Sequence, residues 1–247
     1  MPEEPLHTRI ARELRKRILD GDLQPGDPVP GENALMEQYS VARETARKAL
    51  ATLSAEGLTE ARRGSRTRVR AFRPILRQGT KRLDRSVWGA GRSVWDLDLD
   101  GRPLEVDQLT IREEPCPEHL ADALSLTAGD PLWVRERRYL VDGEPVMLAT
   151  SYHPGAIVAG SAITREDTGP GGAPARLAEL GFAPVRAREQ VRTRMPLPDE
   201  AAALALGPGT PVALIVRVSW ADGGVPVEVT EMTLDGSRYV MEWEFPV

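Results

Sequence analysis

The chain has 247 residues, 41% of them apolar and 28% charged, and its 32 Lys and Arg against 37 Asp and Glu give a formal net charge of −5. That length has room for two domains, and the composition is that of a globular protein rather than a disordered or collagen-like one. No apolar run approaches the roughly 20 residues of a membrane span, Met1 to Leu6 carries no signal-peptide core, one cysteine (Cys116) excludes an internal disulfide, and His7, His119 and His153 lack metal-ligand spacing, so a cytoplasmic protein with no membrane partner, metal or cofactor is expected.

Leu6, Ile10, Leu14 and Ile18 step by four along one predicted helix, which Gly21 and the Pro25-Gly26 pair then end. A short helix and a tight turn lead into a second amphipathic stretch from Arg43 to Glu56. There Ala46, Ala49, Leu50 and Leu53 recur at helical spacing and face a small core, while Arg43, Glu44, Arg47 and Lys48 share the opposite face. An arginine near the start of such a helix can grip guanine N7 and O6 in the major groove, and Thr45 can meet a phosphate or a thymine methyl. The plain alternative is a solvated face with Glu44 paired to Lys48.

The neighbours favour the nucleic-acid reading. Arg62, Arg63, Arg66, Arg68, Arg70 and Arg73 decorate a strand, turn and strand around Gly64, and six like charges without an acid among them want a phosphate-lined partner. Charge is also divided along the chain: residues 1–73 carry 14 basic and 11 acidic side chains, the remainder 18 and 26. Only the N-terminal part suits DNA, and the acidic remainder reads as a sensor or assembly domain.

Pro74 to Ser86 has no apolar period and reads as a linker. Beyond it lies an internal repeat. Shifting residues 121–143 by 80 matches Ala121 with Ala201, Leu124 with Leu204, Gly129 with Gly209, Pro131 with Pro211, Arg137 with Arg217 and Gly143 with Gly223. Each copy reads as a short helix, a turn, a strand, an Asp-Gly hairpin and a second strand. Two such hairpins predict one pseudo-symmetric antiparallel sheet with a ligand crevice between the halves. Trp88, Trp95 and Trp133 are candidates for its wall, with core packing expected for at least two of them.

The segment DLQPGDPVPGENALMEQYSVARETARKALATLSAEGLTEARRGSRTRV resembles the DNA-binding domain of the GntR family of bacterial transcription regulators over nearly all of residues 6–71. The resemblance implies a winged helix-turn-helix over residues 1–73. It further implies that Arg43, Thr45 and Arg47 read a double-stranded operator while wing residues near Gly64 enter the minor groove. The candidate DNA-binding set is therefore Arg43, Glu44, Thr45, Arg47, Arg63, Gly64, Arg66, Thr67 and Arg68. Three positions depart from the family pattern: Gly31 stands for a serine, Ala42 for the serine cap of the recognition helix, and Arg66 for the wing's second glycine. The missing cap is worth about 1 kcal/mol.

The stretches ALSLTAGDPLWVRERRYLVDGEPVMLATSYHP and MPLPDEAAALALGPGTPVALIVRVSWADGGVPVEV resemble the UTRA effector-binding domain of the HutC subfamily of that family. What this implies is an α+β protein: the winged helix-turn-helix, a linker over 74–86, and over 87–247 a UTRA domain with a chorismate lyase-like antiparallel sheet and helices, which dimerises and binds a small-molecule effector. The residues carried over are Arg137, Ser151, Tyr152 and Glu228, with Gly171 and Gly172 in the 169–176 loop that contacts an anion in sugar-phosphate-binding members. Tyr139, where many members carry a second arginine, points to an effector with one anionic or strongly accepting group and an otherwise apolar surface. The expected function is that of a homodimeric repressor released from a palindromic operator by its effector. The alternative is a chorismate-lyase-type enzyme anchored to DNA by its N-terminal domain, against which stand the absence of GxSxG, P-loop and HExxH motifs and the adjacency of Ser151, Tyr152 and His153, which alternate faces on a strand.

Overall fold

The computed structural model describes residues 4–60, 66–71, 74–79, 84–91, 95, 99 and 101–245. The chain divides into two compact units: residues 1–73 with 195–201 and 205–211, and residues 74–194 with 202–204 and 212–247. Among the described residues, no helix is long and apolar enough to cross a membrane.

In the first unit, α1 (Leu6–Leu19), α2 (Glu32–Tyr39) and α3 (Arg43–Ala55) are followed by the two-stranded wing β1 (Thr59–Glu60) and β2 (Arg68–Val69). Their apolar stripes meet in one core of Ile10, Ala11, Leu14, Leu35, Ala46, Ala49, Leu53 and Val69. Leu6 departs from the expected row: it is 48% exposed, so the buried stripe begins at Ile10 and is widened by Ala11. The tight turn between α2 and α3 is made by Ser40 in the left-handed region (φ 51°), which ends α2 and redirects the chain into α3.

Ala42 sits at the N-cap of α3 in an extended conformation (φ −66°, ψ 153°) with no side-chain cap, leaving the helix's first amides without that partner. The backbone is already in cap geometry. Ala42→Ser is therefore expected to stabilise this unit by about 1 kcal/mol, read as a higher melting temperature of the free protein.

The second unit is built on a six-stranded antiparallel sheet, in which β4 (Leu104–Pro115), β5 (Pro131–Val141), β6 (Glu144–Pro154), β7 (Arg186–Arg194), β8 (Val212–Trp220) and β9 (Pro226–Asp235) lie in the order β4-β5-β6-β9-β8-β7. In the chain α5 (Glu118–Leu124) precedes β5, and α8 (Pro198–Ala203), whose first four residues belong to the first unit, precedes β8. The repeat seen in the sequence is thus a pseudo-two-fold. The β5–β6 and β8–β9 hairpins meet along β6 and β9, where Thr150 faces Glu231.

Strand alternation sends side chains to two faces. On one, Tyr139, Met147, Ala149, Ala213, Ile215, Met232 and Leu234 form a core with Ile75 and Leu99. On the other, Leu132, Val134, Val218 and Val229 pack against Leu120 and Leu124 of α5. Trp88 is buried and Trp133 packs beside the cluster of Val158, Ile163 and Leu177, as core tryptophans should.

The stretch read as a linker carries structure at both ends. Ile75–Gln78 form β3, paired in parallel with the last strand β10 (Tyr239–Glu242). Ile75 is buried in the core, and Arg77 is wholly buried, its guanidinium gripping the Glu189 carboxylate with both ends (Nη1 to Oε2 2.8 Å). Four residues are too few to show a strand period, and the partner strand lies at the far end of the sequence. At the other end Arg85–Trp88 form α4, capped by Asp84, which accepts from the Ser86 amide (2.7 Å). The remaining helices, α6 (Gly155–Val158) and α7 (Gly172–Glu179), follow β6.

Candidate functional site

Arg43, Glu44, Arg47 and Lys48, the residues expected to form the DNA-reading face, lie exposed on α3. Arg43, Arg47 and Lys48 are 60–68% exposed at the side chain, with Glu44 among them at 53%. Arg43 is held toward α2 by Glu32 (3.0 Å) and Asn33 Oδ1 (3.4 Å), and Arg47 pairs with Glu44 one turn earlier (2.5 Å). Glu44 lies 3.9 Å from Lys48, so the solvated-face reading describes the free protein while leaving the arginines within reach of a duplex. Exposed pairs of this kind are worth well under about 1 kcal/mol and exchange readily for phosphate or guanine. Thr45 is half-buried.

Beside this face a concave surface of about 740 Å³ is lined by Pro28 to Ala34, Arg43, Arg66 and Thr67, so the start of α2, the start of α3 and the wing share one groove. Arg68 donates to the Gly26 carbonyl (2.8 Å), which ties the wing strand to the turn before α2. Arg63 and Gly64 lie outside the described residues.

The expected effector crevice is a cleft of about 450 Å³ on one face of the sheet, walled by β4, β5 and the 166–174 segment. Of the residues carried over, Arg137, Glu228, Gly171 and Gly172 line it. It holds more charge than the sequence suggested, because Arg135 and Arg217 also line it. Period two places Arg135, Arg137 and Tyr139 on the same face of β5, and the repeat that matches Arg217 to Arg137 brings Arg217 in from β8.

Each arginine has a different task. Arg135 is consumed by the chain itself, donating to the carbonyls of Ile163 (2.7 Å), Arg165 and Glu166 (3.0 Å) and so fixing the loop that borders the cleft. Burial, with Arg137 nearby, pushes its pKa down to about 10. Arg137 donates to Ser151 Oγ (2.5 Å) and lies over the rings of Trp95 (5.4 Å) and Tyr139 (5.8 Å), themselves stacked at 5.1 Å. Arg217 is 2% exposed and donates to Glu228 (3.3 Å). Its Nε and Nη1, and the Nε of Arg137 and of Arg135, are buried with no hydrogen-bond partner among the described residues. Buried donors left open cost free energy unless something fills them.

Two expectations need correction. Tyr152 does not face the cleft: it follows Ser151 on one strand, so its side chain goes to the opposite face, beside the α5 core, with its hydroxyl toward Glu231 (3.4 Å). The amides of Gly171 and Gly172 are also not free for an anion, since they donate to Gly91 (3.1 Å) and Gly169 (3.1 Å). Gly171 (φ 79°) is instead required for close packing, because a Cβ there would lie 2.5 Å from the Trp88 carbonyl oxygen. Pro174 falls in the first turn of α7, where a missing amide is tolerated. Ser151 is buried behind the cleft as the support of Arg137.

Beneath Arg217 lies a buried acid and imidazole. His153 Nδ1–H donates to the Val227 carbonyl (3.2 Å), and its Nε2 is 3.7 Å from Glu228. Burial holds the imidazole pKa below its ordinary value, so His153 is neutral. For Glu228 burial pulls upward, but Arg217 above all, with Arg137, holds the carboxyl below its usual range. Both shifts have one sign: as pH falls, the unfolded chain takes up protons the folded one refuses. Stability present above about pH 6.5 is expected to decline below it, and to decline again through the carboxylate range. Melting at about pH 7.5 and about pH 5.5 checks this, and His153→Gln should remove the first of the two losses.

With both surfaces described, their likeness to known proteins is specific. Residues 6–69 match the model of bacterial regulatory proteins of the gntR family, and residues 99–240 match the UTRA domain. The chain is 32% identical to the HTH-type transcriptional repressor PhnF of Mycolicibacterium smegmatis, with 94% of this chain and 90% of that one covered. The chain belongs to the GntR family. A further relative is an HTH-type transcriptional regulator of Streptomyces coelicolor, 29% identical over 100% of this chain and 94% of its own. Among solved structures, a GntR-family transcriptional regulator superposes with a TM-score of 0.66 at 27% identity, covering 99% of this chain and 98% of that one. PhnF from Mycobacterium smegmatis gives 0.57 at 27% identity, covering 96% and 99%. This GntR-family chain is accordingly a transcription regulator of the UTRA type, with a DNA-binding head and an effector-binding domain, and not an enzyme.

Proposed function

We propose that this regulator is a homodimeric repressor that leaves a palindromic operator when a small organic anion enters the cleft beside Arg137. The observation that carries this reading is the set of open guanidinium nitrogens: Nε and Nη1 of Arg217 and Nε of Arg137, all buried at a cleft where three arginines meet one buried carboxylate, Glu228. A carboxylate or phosphate oxygen satisfies such a fork. The remaining wall of Trp95, Tyr139, Leu104, Val106 and Leu109 suits an apolar or aromatic body. Because Arg217 stands with Arg137, the single-arginine argument for a weakly charged effector no longer applies, and the anionic group is a full carboxylate or phosphate.

Release follows from shared packing. Trp95 stacks on Tyr139, which belongs to the same core as Ile75 of β3, the first strand after the DNA-binding head. A ligand that displaces Trp95 repacks that core and biases the segment entering the head, with a coupling of about 1 to 3 kcal/mol, or about 5- to 150-fold in operator affinity. The test is a thermal-shift screen of organic acids and phosphate esters on the full chain, followed by fluorescence anisotropy on its operator. A compound that raises the melting temperature should weaken DNA binding; operator affinity indifferent to saturating ligand would remove the mechanism.

A further inference from the structure

Two buried arginines compete for one carboxylate. Glu189 is the single acid of β7, and its register sets it directly across from Arg217 of β8, on the face of the sheet that carries the cleft. Side chains opposed in this way have Cβ atoms about 4.5–5.5 Å apart, close enough for opposite charges to meet. The same carboxylate is gripped by both ends of the Arg77 guanidinium of β3 (Nη1 to Oε2 2.8 Å), with the Arg77 side chain 0% and that of Glu189 11% exposed.

Arg217 is the arginine with donors to spare. Its Nη2 serves Glu228 (3.3 Å) and, at the limit of a hydrogen bond, Thr230 (3.5 Å), while Nε and Nη1 have no hydrogen-bond partner among the described residues. A guanidinium edge matches a carboxylate bidentately, so Glu189, facing it across the strands, has the chemistry to fill that vacancy from within the protein. It does not do so: Arg217 and Glu228 line the cleft and Glu189 is not among the lining residues. The bidentate contact to Arg77 is what occupies it. In a buried setting such a contact is much stronger than an exposed pair, because little water competes for either partner.

We propose that Arg77 is a positioning residue of the effector site: by holding Glu189 it keeps the Nε and Nη1 of Arg217 open for an incoming anion, and so couples cleft occupancy to β3. This rests on the reading of the cleft as an anion site and deepens it. Arg77 touches no ligand and acts through Glu189. Its strand is anchored to β10 at both ends, by the Ile75 amide on the Arg238 carbonyl (2.7 Å) and the Gly79 amide on the Glu242 carbonyl (3.0 Å). Withdrawing β3 takes Arg77 with it, hands Glu189 to Arg217 and expels the anion. By reciprocity, an anion on Arg217 leaves Glu189 wholly to Arg77 and tightens β3.

The test is calorimetric titration of the full chain with benzoate and with phenyl phosphate, each an anionic group on an aromatic body. Arg77→Gln frees Glu189 for Arg217 and should weaken binding about tenfold or more, within the usual range of coupling between sites. Adding Glu189→Gln to that variant removes the competitor and should return the affinity to at least the wild-type value, whereas loss of a merely structural ion pair would not be mended by removing its second member. Arg77→Lys keeps the charge and should fall between Arg77→Gln and wild type. Circular dichroism checks that each variant is folded, and the double variant leaves neither charge stranded. In wild type the better probe should also slow amide hydrogen exchange at residues 75–78 and 239–242, and that protection should vanish in the double variant. If wild type binds neither probe, the anion-site reading falls and this one with it. If wild type binds and Arg77→Gln binds equally well, or the double variant stays as weak as the single one, Arg77 does not hold the site open and the cleft reading stands alone. Protection of β3 that persists in the double variant would overturn the coupling through Arg77.

Discussion

Arg47→Ala is expected to cost about 1 to 3 kcal/mol of operator binding and to relax base preference at one position of each half-site, with Arg43→Ala doing the same at another. Both guanidiniums are about two-thirds exposed; Arg47 is tethered by the exposed Glu44, and Arg43 by the half-buried Glu32 with a long contact to Asn33. Their release is cheap, so what is lost on substitution is the bidentate contact itself. Anisotropy titrations against operator and scrambled duplexes check this at several salt concentrations. A base-reading arginine changes discrimination, whereas a phosphate contact changes all sequences alike and flattens the log K against log salt slope by about 0.9. Retained affinity and discrimination in both variants would remove α3 as the reading element.

Arg217→Met should be the most damaging single change in the effector domain. It strands Glu228, 6% exposed, with a neutral imidazole 3.7 Å away as its nearest other partner of opposite potential charge. Breaking a buried pair by removing one member costs about 3 to 5 kcal/mol, on the order of 10 °C in melting temperature for a domain of this size. Adding Glu228→Gln to the same chain should recover much of the loss, since the uncompensated charge is gone. Arg217→Lys separates stability from recognition: it retains the charge near Glu228 but not the planar fork, so anion binding should fall while the melting temperature falls less. Equal anion affinity in that variant and wild type would place the ligand's acidic group at Arg137 alone.

How much of this was legible in the sequence depended on whether a signal was local. Arg43 and Arg47 stand out because α3 is long enough for its apolar period to settle which side is buried. The paired hairpins, and through them Arg217, follow from a repeat that survives as a constant offset. Tyr152 was misplaced by carrying a family position across without applying strand alternation to its neighbour Ser151. The role of Arg135 could not be read, since its partners are three backbone carbonyls about thirty residues away in a loop without periodicity. β3 was hidden for a similar reason: a four-residue strand whose partner is β10 leaves no trace in composition.

The early start of β3 leaves little slack between head and sensor. Only residues 70–74 separate the wing strand at Val69 from the first strand residue of the effector domain, Ile75, and fully stretched they span about 20 Å at about 3.3–3.6 Å per residue. A long tether would let each head of a dimer search independently and accept half-sites at many separations. In the homodimer proposed above this one would act as a ruler. Half a helical turn of extra DNA between half-sites would rotate the second target to the far side of the duplex, beyond what so short a connection can follow, so the protein itself would then set the half-site spacing as firmly as the base sequence.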